Sequence, residues 1–156
     1  MERDGLQIRQ AGRENLAGLL DLYQHLTPGD ARVEAGEGAS ILARLSCLPG
    51  SAVCVAEIGP VLVGSCTLVV VPNLTRGGRP YGLVENVVTH GDFRKRGIGR
   101  QVLRAATESA RDAGYHKVML LCGLDDRATL RFYRDAGFGQ SKTGFQTRRI
   151  PARPLS

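Results

Sequence analysis

The chain has 156 residues, 42% of them hydrophobic and 23% charged, and a net charge of +6 from 18 Arg and 3 Lys against 15 acidic residues. This balance describes a single soluble domain over 1–156 that buries its own core, and excludes a disordered or fibrous chain. No apolar run approaches the roughly 18 residues of a membrane span. A basic surplus suits nucleic acid, an anionic membrane or a phosphorylated small ligand. Apart from Arg94 to Arg104 the charge forms no long block, which disfavours a dedicated nucleic-acid surface.

In chain order, Leu6 to Arg9 alternates and predicts a short strand. Leu16, Leu19, Leu20, Leu22 and Tyr23 give Arg13 to His25 a helical period, which Thr27-Pro28-Gly29-Asp30 ends. A second helix is expected from Ser40 to Leu48, before Pro49-Gly50. Ala52 to Ile58 and Val61 to Val71 flank Gly59-Pro60 as an antiparallel hairpin, and a polar loop from Asn73 to Pro80 leads to a strand over Tyr81 to Thr89. A helix over 97–113 closes at Gly114. A strand over His116 to Cys122, a helix over Arg127 to Ala136, a last strand over Phe145 to Ile150 and a frayed tail over 151–156 complete the order. That order implies an α/β or α+β fold with a mixed sheet.

The cysteines, Cys47, Cys54, Cys66 and Cys122, form no C-x-x-C pair, and no histidine stands at metal spacing. We therefore expect no metal and buried free thiols in a reducing compartment. Met1-Glu2-Arg3-Asp4 is polar with no apolar segment behind it, so a cytoplasmic location is expected.

The most informative stretch is Thr89-His-Gly-Asp-Phe-Arg-Lys-Arg-Gly-Ile-Gly-Arg100. A strand enters it and a helix leaves it. Gly97 and Gly99 lack a Cβ, so backbone N–H groups can turn toward an anion at the positive end of the helix dipole. Arg94, Lys95 and Arg96 add charge-assisted bonds to phosphate oxygens. No Gly-Lys-Ser/Thr follows and no third glycine completes a dinucleotide fingerprint, so neither motif applies.

Arg94-x-x-Gly97-x-Gly99 resembles the [Gln/Arg]-x-x-Gly-x-[Gly/Ala] signature of the GNAT superfamily of N-acetyltransferases. Phe132-Tyr133-Arg134-Asp135-Ala136-Gly137-Phe138 resembles its second landmark. The resemblance spans roughly Leu6 to Arg149. It implies an α/β (α+β) fold with a mostly antiparallel sheet and a splayed parallel strand pair. It also implies acetyl-CoA as cosubstrate, a small primary amine as acceptor, direct transfer in a ternary complex, and a homodimer. The residues implied to hold coenzyme A are Val87, Val88, Thr89, Arg94, Lys95, Arg96, Gly97, Ile98, Gly99 and Arg100. By the same resemblance Val87 N–H meets the thioester oxygen, and the Tyr133 phenol protonates the departing thiolate. Where the family usually has Asn, seven positions before the Tyr, this chain has Asp126. A carboxylate accepts but does not donate, so the usual pantetheine contact is put in doubt, and Asp126 is suited to capping the Tyr133 helix.

Glu85 and Asn86 interrupt an apolar strand, and a carboxylate there is costly unless it is paired or faces a cavity. Amine acetylation must remove a proton from an ammonium, so Glu85 is the candidate base. Within the superfamily three patches resemble glucosamine-6-phosphate N-acetyltransferases. They are Leu26-Thr27-Pro28-Gly29-Asp30, Val84-Glu85-Asn86-Val87-Val88 and Gly144-Phe145-Gln146-Thr147-Arg148. Thr27, Glu85, Asn86 and Arg148 are the acceptor-binding candidates, with Arg148 on the sugar phosphate. The alternatives are an acetyltransferase for another small amine (amino acid, aminoalkylphosphonate, polyamine or aminoglycoside) and a basic nucleic-acid-binding module that reads through helix 97–113. Ile98, Val102, Ala106 and Ala110 form one stripe on that helix, which suits packing on a sheet.

Overall fold

The computed structural model describes residues 5–151, and the chain divides into two compact units, Met1–Leu120 and Leu121–Ser156. In the first unit β1 (Leu6–Gln10), β2 (Ala52–Ile58), β3 (Val61–Val71), β4 (Tyr81–Thr89) and β5 (Val118–Leu120) form one sheet in that order. Every neighbouring pair is antiparallel except β4–β5, which is parallel. This is the expected mixed, mostly antiparallel α/β fold.

Strand β3 is buried almost throughout because helices cover both of its faces. Successive side chains on a strand alternate in direction, so neighbouring residues report opposite sides. On one side α1 (Leu16–Tyr23) and α2 (Ala35–Cys47) bury Leu19, Leu22 and Leu42 against Val53, Val55, Leu62 and Val88. The Tyr23 phenol sits there beside the Thr67 and Ser65 hydroxyls; burial raises its pKa and the hydroxyls lower it. On the other side lies α3 (Ile98–Asp112), whose buried residues include Ile98, Val102, Ala106 and Ala110, the stripe read from the sequence. Cys66 Sγ donates to the Val102 carbonyl at 3.8 Å.

Gly64 sets how closely α3 approaches. A Cβ at this position would stand 2.8 Å from Ile98 Cγ2 and 3.5 Å from Val102 Cγ2. The first residue of α3 therefore rests on bare backbone. Gly64→Val is expected to lower stability by about 1–3 kcal/mol, the usual cost of overpacking a filled interior. Urea unfolding measures this, and an unshifted midpoint would mean that Ile98 turns aside without cost.

The structure revises three element boundaries. Helix α2 begins at Ala35, five residues before the expected Ser40, because Glu34 accepts the Gly36 and Glu37 N–H groups at 2.9 and 3.1 Å and caps it. The stretch His116 to Cys122 pairs only over Val118–Leu120. No strand forms over Phe145 to Ile150. Those residues join no ladder among the described residues, and Phe145 and Ile150 are 91% and 78% exposed. Alternation shows that a segment can fill a half-buried strand, but a strand exists only where a neighbouring edge accepts it. Of the expected tail, 152–156 lie outside the described residues.

All four cysteines are free, but only Cys54 and Cys66 are buried; Cys47 is exposed and Cys122 is half-buried. Cys54 and Cys66 are cross-strand partners. The neighbouring Cys54 and burial together push the Cys66 thiol well up.

Candidate active site

Strand β4 is irregular at the point where its sequence turns polar. The β3–β4 register pairs Thr67 with Glu85 and Ser65 with Val88, so Asn86 and Val87 together oppose the single residue Cys66. Two residues opposite one make a β-bulge, which bends the strand and re-aims its side chains. Asn86 sits at φ 51°, in the left-handed region that asparagine tolerates better than most side chains. Glu85 and Asn86 are both exposed as a result. On the other edge of β4 the parallel ladder ends at Val84 opposite Leu120. Residues 85–89 therefore run on past the end of the ladder with β5.

Beyond β4 the chain makes a short 3₁₀ turn (Gly91–Phe93) and enters α3. Lys95 at φ 61° and Gly97 at φ 77° flank Arg96, which is not left-handed. Left-handed residues spaced in this way are the backbone requirement of a concave N–H nest, which makes the segment the candidate anion site. The first N–H groups of α3 have no partner within the helix and add the positive end of its dipole. The side chains are arranged less simply than the sequence suggested. Arg94 Nε donates to the Thr89 carbonyl at 3.4 Å, and its Nη2 donates to the His25 carbonyl at 3.3 Å. Arg96 Nη2 donates to the Asp92 carbonyl at 3.1 Å, and its guanidinium lies 5.0 Å from the Phe93 ring centre. Both arginines brace the loop, which leaves its backbone N–H groups as the candidate anion donors.

Thr27 lies on an exposed turn after α1 and donates its hydroxyl to the Tyr23 carbonyl at 3.3 Å. On the outer face of α3, Arg104 pairs with Glu108 at 2.9 Å. The apolar face of that helix is buried, which packs it on the sheet as its stripe suggested. Among the described residues no helix is long and apolar enough to cross a membrane, and no cluster of His, Cys, Asp and Glu is able to hold a metal ion.

The second unit contains α4 (Arg127–Asp135). Asp126 caps it, as its chemistry suggested. Asp126 Oδ1 accepts the Thr129 N–H at 3.0 Å, and Oδ2 accepts the Thr129 hydroxyl at 2.6 Å. These bonds, the hydroxyl first, hold the Asp126 carboxyl below its usual range. The cap is therefore fully made at neutral pH and is lost as pH falls through that lowered value. Tyr133 is half-buried between aromatic rings, 5.2 Å from Phe132 and 6.1 Å, edge-on, from Phe138. Arg148 lies on the exposed, irregular segment after α4 and donates Nε to Gln146 Oε1 at 3.0 Å.

A mostly antiparallel sheet whose fourth strand bulges and then leads through a tight, basic loop into α3 sets the class, a mixed α/β domain with a candidate anion site at a helix start. Residues 18–138 match the acetyltransferase (GNAT) family, and the chain belongs to that family. Glucosamine 6-phosphate N-acetyltransferase of Trypanosoma brucei brucei is 32% identical over 135 residues, covering 85% of this chain and 88% of that protein. Among solved structures, a protein of Agrobacterium tumefaciens str. C58 is 46% identical with a TM-score of 0.87, covering 92% of this chain and 99% of that one. An acetyltransferase of Trypanosoma brucei is 29% identical with a TM-score of 0.81, over the same shares of the two chains.

Two histidines adjoin these motifs. His25 stands two residues before Thr27, and His90 stands four before Arg94. Their rings meet at 4.1 Å between centroids. The available signal was a histidine adjoining each motif, and only the fold brings the two together.

Proposed function

We propose that this chain transfers the acetyl group of acetyl-CoA to the primary amine of a small phosphorylated acceptor, with glucosamine 6-phosphate as the leading candidate. The observation that carries the transfer reaction is the succession of bulge and nest along one strand and the helix after it. The bulge turns Glu85 outward and takes Val87 out of the ladder, and the nest follows within ten residues. The acceptor assignment rests on the similarity to the trypanosomal enzyme over most of both chains.

In this reading the backbone N–H groups from Lys95 to Arg100 hold the pyrophosphate. Val88 and Thr89 pair with the pantetheine as an added strand would, and Val87 N–H faces the thioester oxygen. Glu85, directly or through water, removes the proton that the acceptor ammonium must lose before its nitrogen can attack. Tyr133 supplies a proton to the departing thiolate, a role it takes from the family motif. Asn86 and Thr27 offer neutral hydrogen bonds to the acceptor, and Arg148 is the cation for its phosphate. Asp126 caps α4, and by the family resemblance it stands at the position of the usual pantetheine contact. The chain is further read as a cytoplasmic homodimer.

A panel of amines with acetyl-CoA, followed by thiol release, tests the acceptor. Glucosamine 6-phosphate is expected to exceed unphosphorylated glucosamine in kcat/KM. Arg148→Ala is expected to raise KM for the phosphorylated sugar about tenfold or more, as for loss of a charged hydrogen bond of ~1.5–3 kcal/mol. KM for acetyl-CoA is expected to stay unchanged. Equal kcat/KM for the two sugars would remove the phosphate from the assignment and leave the acetyltransferase reading in place.

A further inference from the structure

Helix α1 and the nest are linked by two imidazoles. Gly91 N–H donates to His25 Nδ1 at 3.2 Å, and Asp92 N–H donates to His90 Nδ1 at 3.2 Å. A ring nitrogen that accepts carries no proton, so these two contacts call for the tautomer with hydrogen on Nε2 at both rings. The rings are tilted by 42° to each other, and Phe93 stands edge-on to His90 at 5.4 Å. Arg94 closes the link from the opposite direction through the His25 carbonyl, as described above. His25 therefore accepts at its ring and at its carbonyl, in both cases from the loop that leads into the nest.

These contacts lie outside the hydrophobic cluster that holds α1 to the sheet. Leu19 and Leu22 keep the helix in place without them. What the His25 contacts add is register between two loops, the turn carrying Thr27 and the segment from Gly91 to Gly97. Lys95 is held at a positive φ that costs about 1 kcal/mol or more and persists only where its surroundings determine it. Removing a restraint from one end of this segment lets the nest relax.

We propose that His25 is a positioning residue, an imidazole latch that acts through Gly91 N–H and His90 to hold the nest in its anion-binding shape. The proposal rests on the reading of the nest as the coenzyme A pyrophosphate site. The probe is coenzyme A itself, titrated calorimetrically into the full-length protein, so the test requires no acceptor.

His25→Leu, which removes the acceptor of the exposed Gly91 N–H, is expected to weaken coenzyme A binding by up to about tenfold, the net scale of one hydrogen bond. KM for acetyl-CoA should rise in parallel while kcat changes little. His25→Asn places an amide oxygen near the position of Nδ1 and should restore most of the affinity. A general loss of packing would lower Tm in both variants and would not be rescued by Asn. In the wild-type protein, long-range ¹⁵N–¹H spectra should show the Nε2–H tautomer at both His25 and His90. Tight coenzyme A binding by wild type and by His25→Leu alike would overturn the latch, as would an Nδ1–H tautomer at His25. Absence of coenzyme A binding by wild type would instead overturn the nest reading beneath it.

Discussion

Turnover of Tyr133→Phe is expected to fall about 10²-fold, the lower end of the usual contribution of one positioned acid, with acetyl-CoA affinity unchanged. The substitution removes only the phenol oxygen. The ring contacts with Phe132 and Phe138 do not involve that oxygen, so the aromatic cluster around α4 should survive. A thiolate leaving without a proton is the poorer leaving group, and this cost appears in kcat. If the variant turned over at nearly the wild-type rate, Tyr133 would be a packing residue, and the second family landmark would mark only a fold feature. Melting curves of the two proteins separate these cases from simple loss of folded enzyme.

The second large effect is expected at Glu85. Glu85→Gln keeps the size and polarity of the side chain but cannot take a proton. We expect a loss of about 10²-fold in kcat/KM for the amine near neutral pH. The loss should shrink as pH rises, because the acceptor is then already a free amine and needs no base. The sign follows from the reaction: a base matters most where the ammonium form dominates. The bulge makes the role accessible, since it leaves Glu85 exposed, and no ion pair engages it among the described residues. A loss of constant size across pH would assign Glu85 to holding the acceptor.

The sequence by itself determined what depends on local chemistry. The hairpin over Ala52–Ile58 and Val61–Val71, strand Tyr81–Thr89 and the buried stripe of α3 were all legible, because period-2 and period-3.6 patterns record which face is covered. Two glycines at a strand-to-helix junction mark a place where backbone N–H groups can converge, and Gly97 is left-handed there, as its lack of a Cβ allows. The cap at Asp126 followed from its acceptor chemistry alone.

What only the tertiary structure decided are the features that require a partner distant in sequence. The bulge is a mismatch in count between β3 and β4, and Asn86 became its left-handed residue only once Cys66 was the single residue opposite. Phe145 to Ile150 has the composition of a strand but meets no ladder among the described residues. His25 and His90 are unremarkable in the sequence, and their contact exists because α1 packs on the face of the sheet next to the loop that follows β4. Periodicity specifies which side of an element is buried, whereas register and loop-to-loop contact are set by whole elements packing against one another.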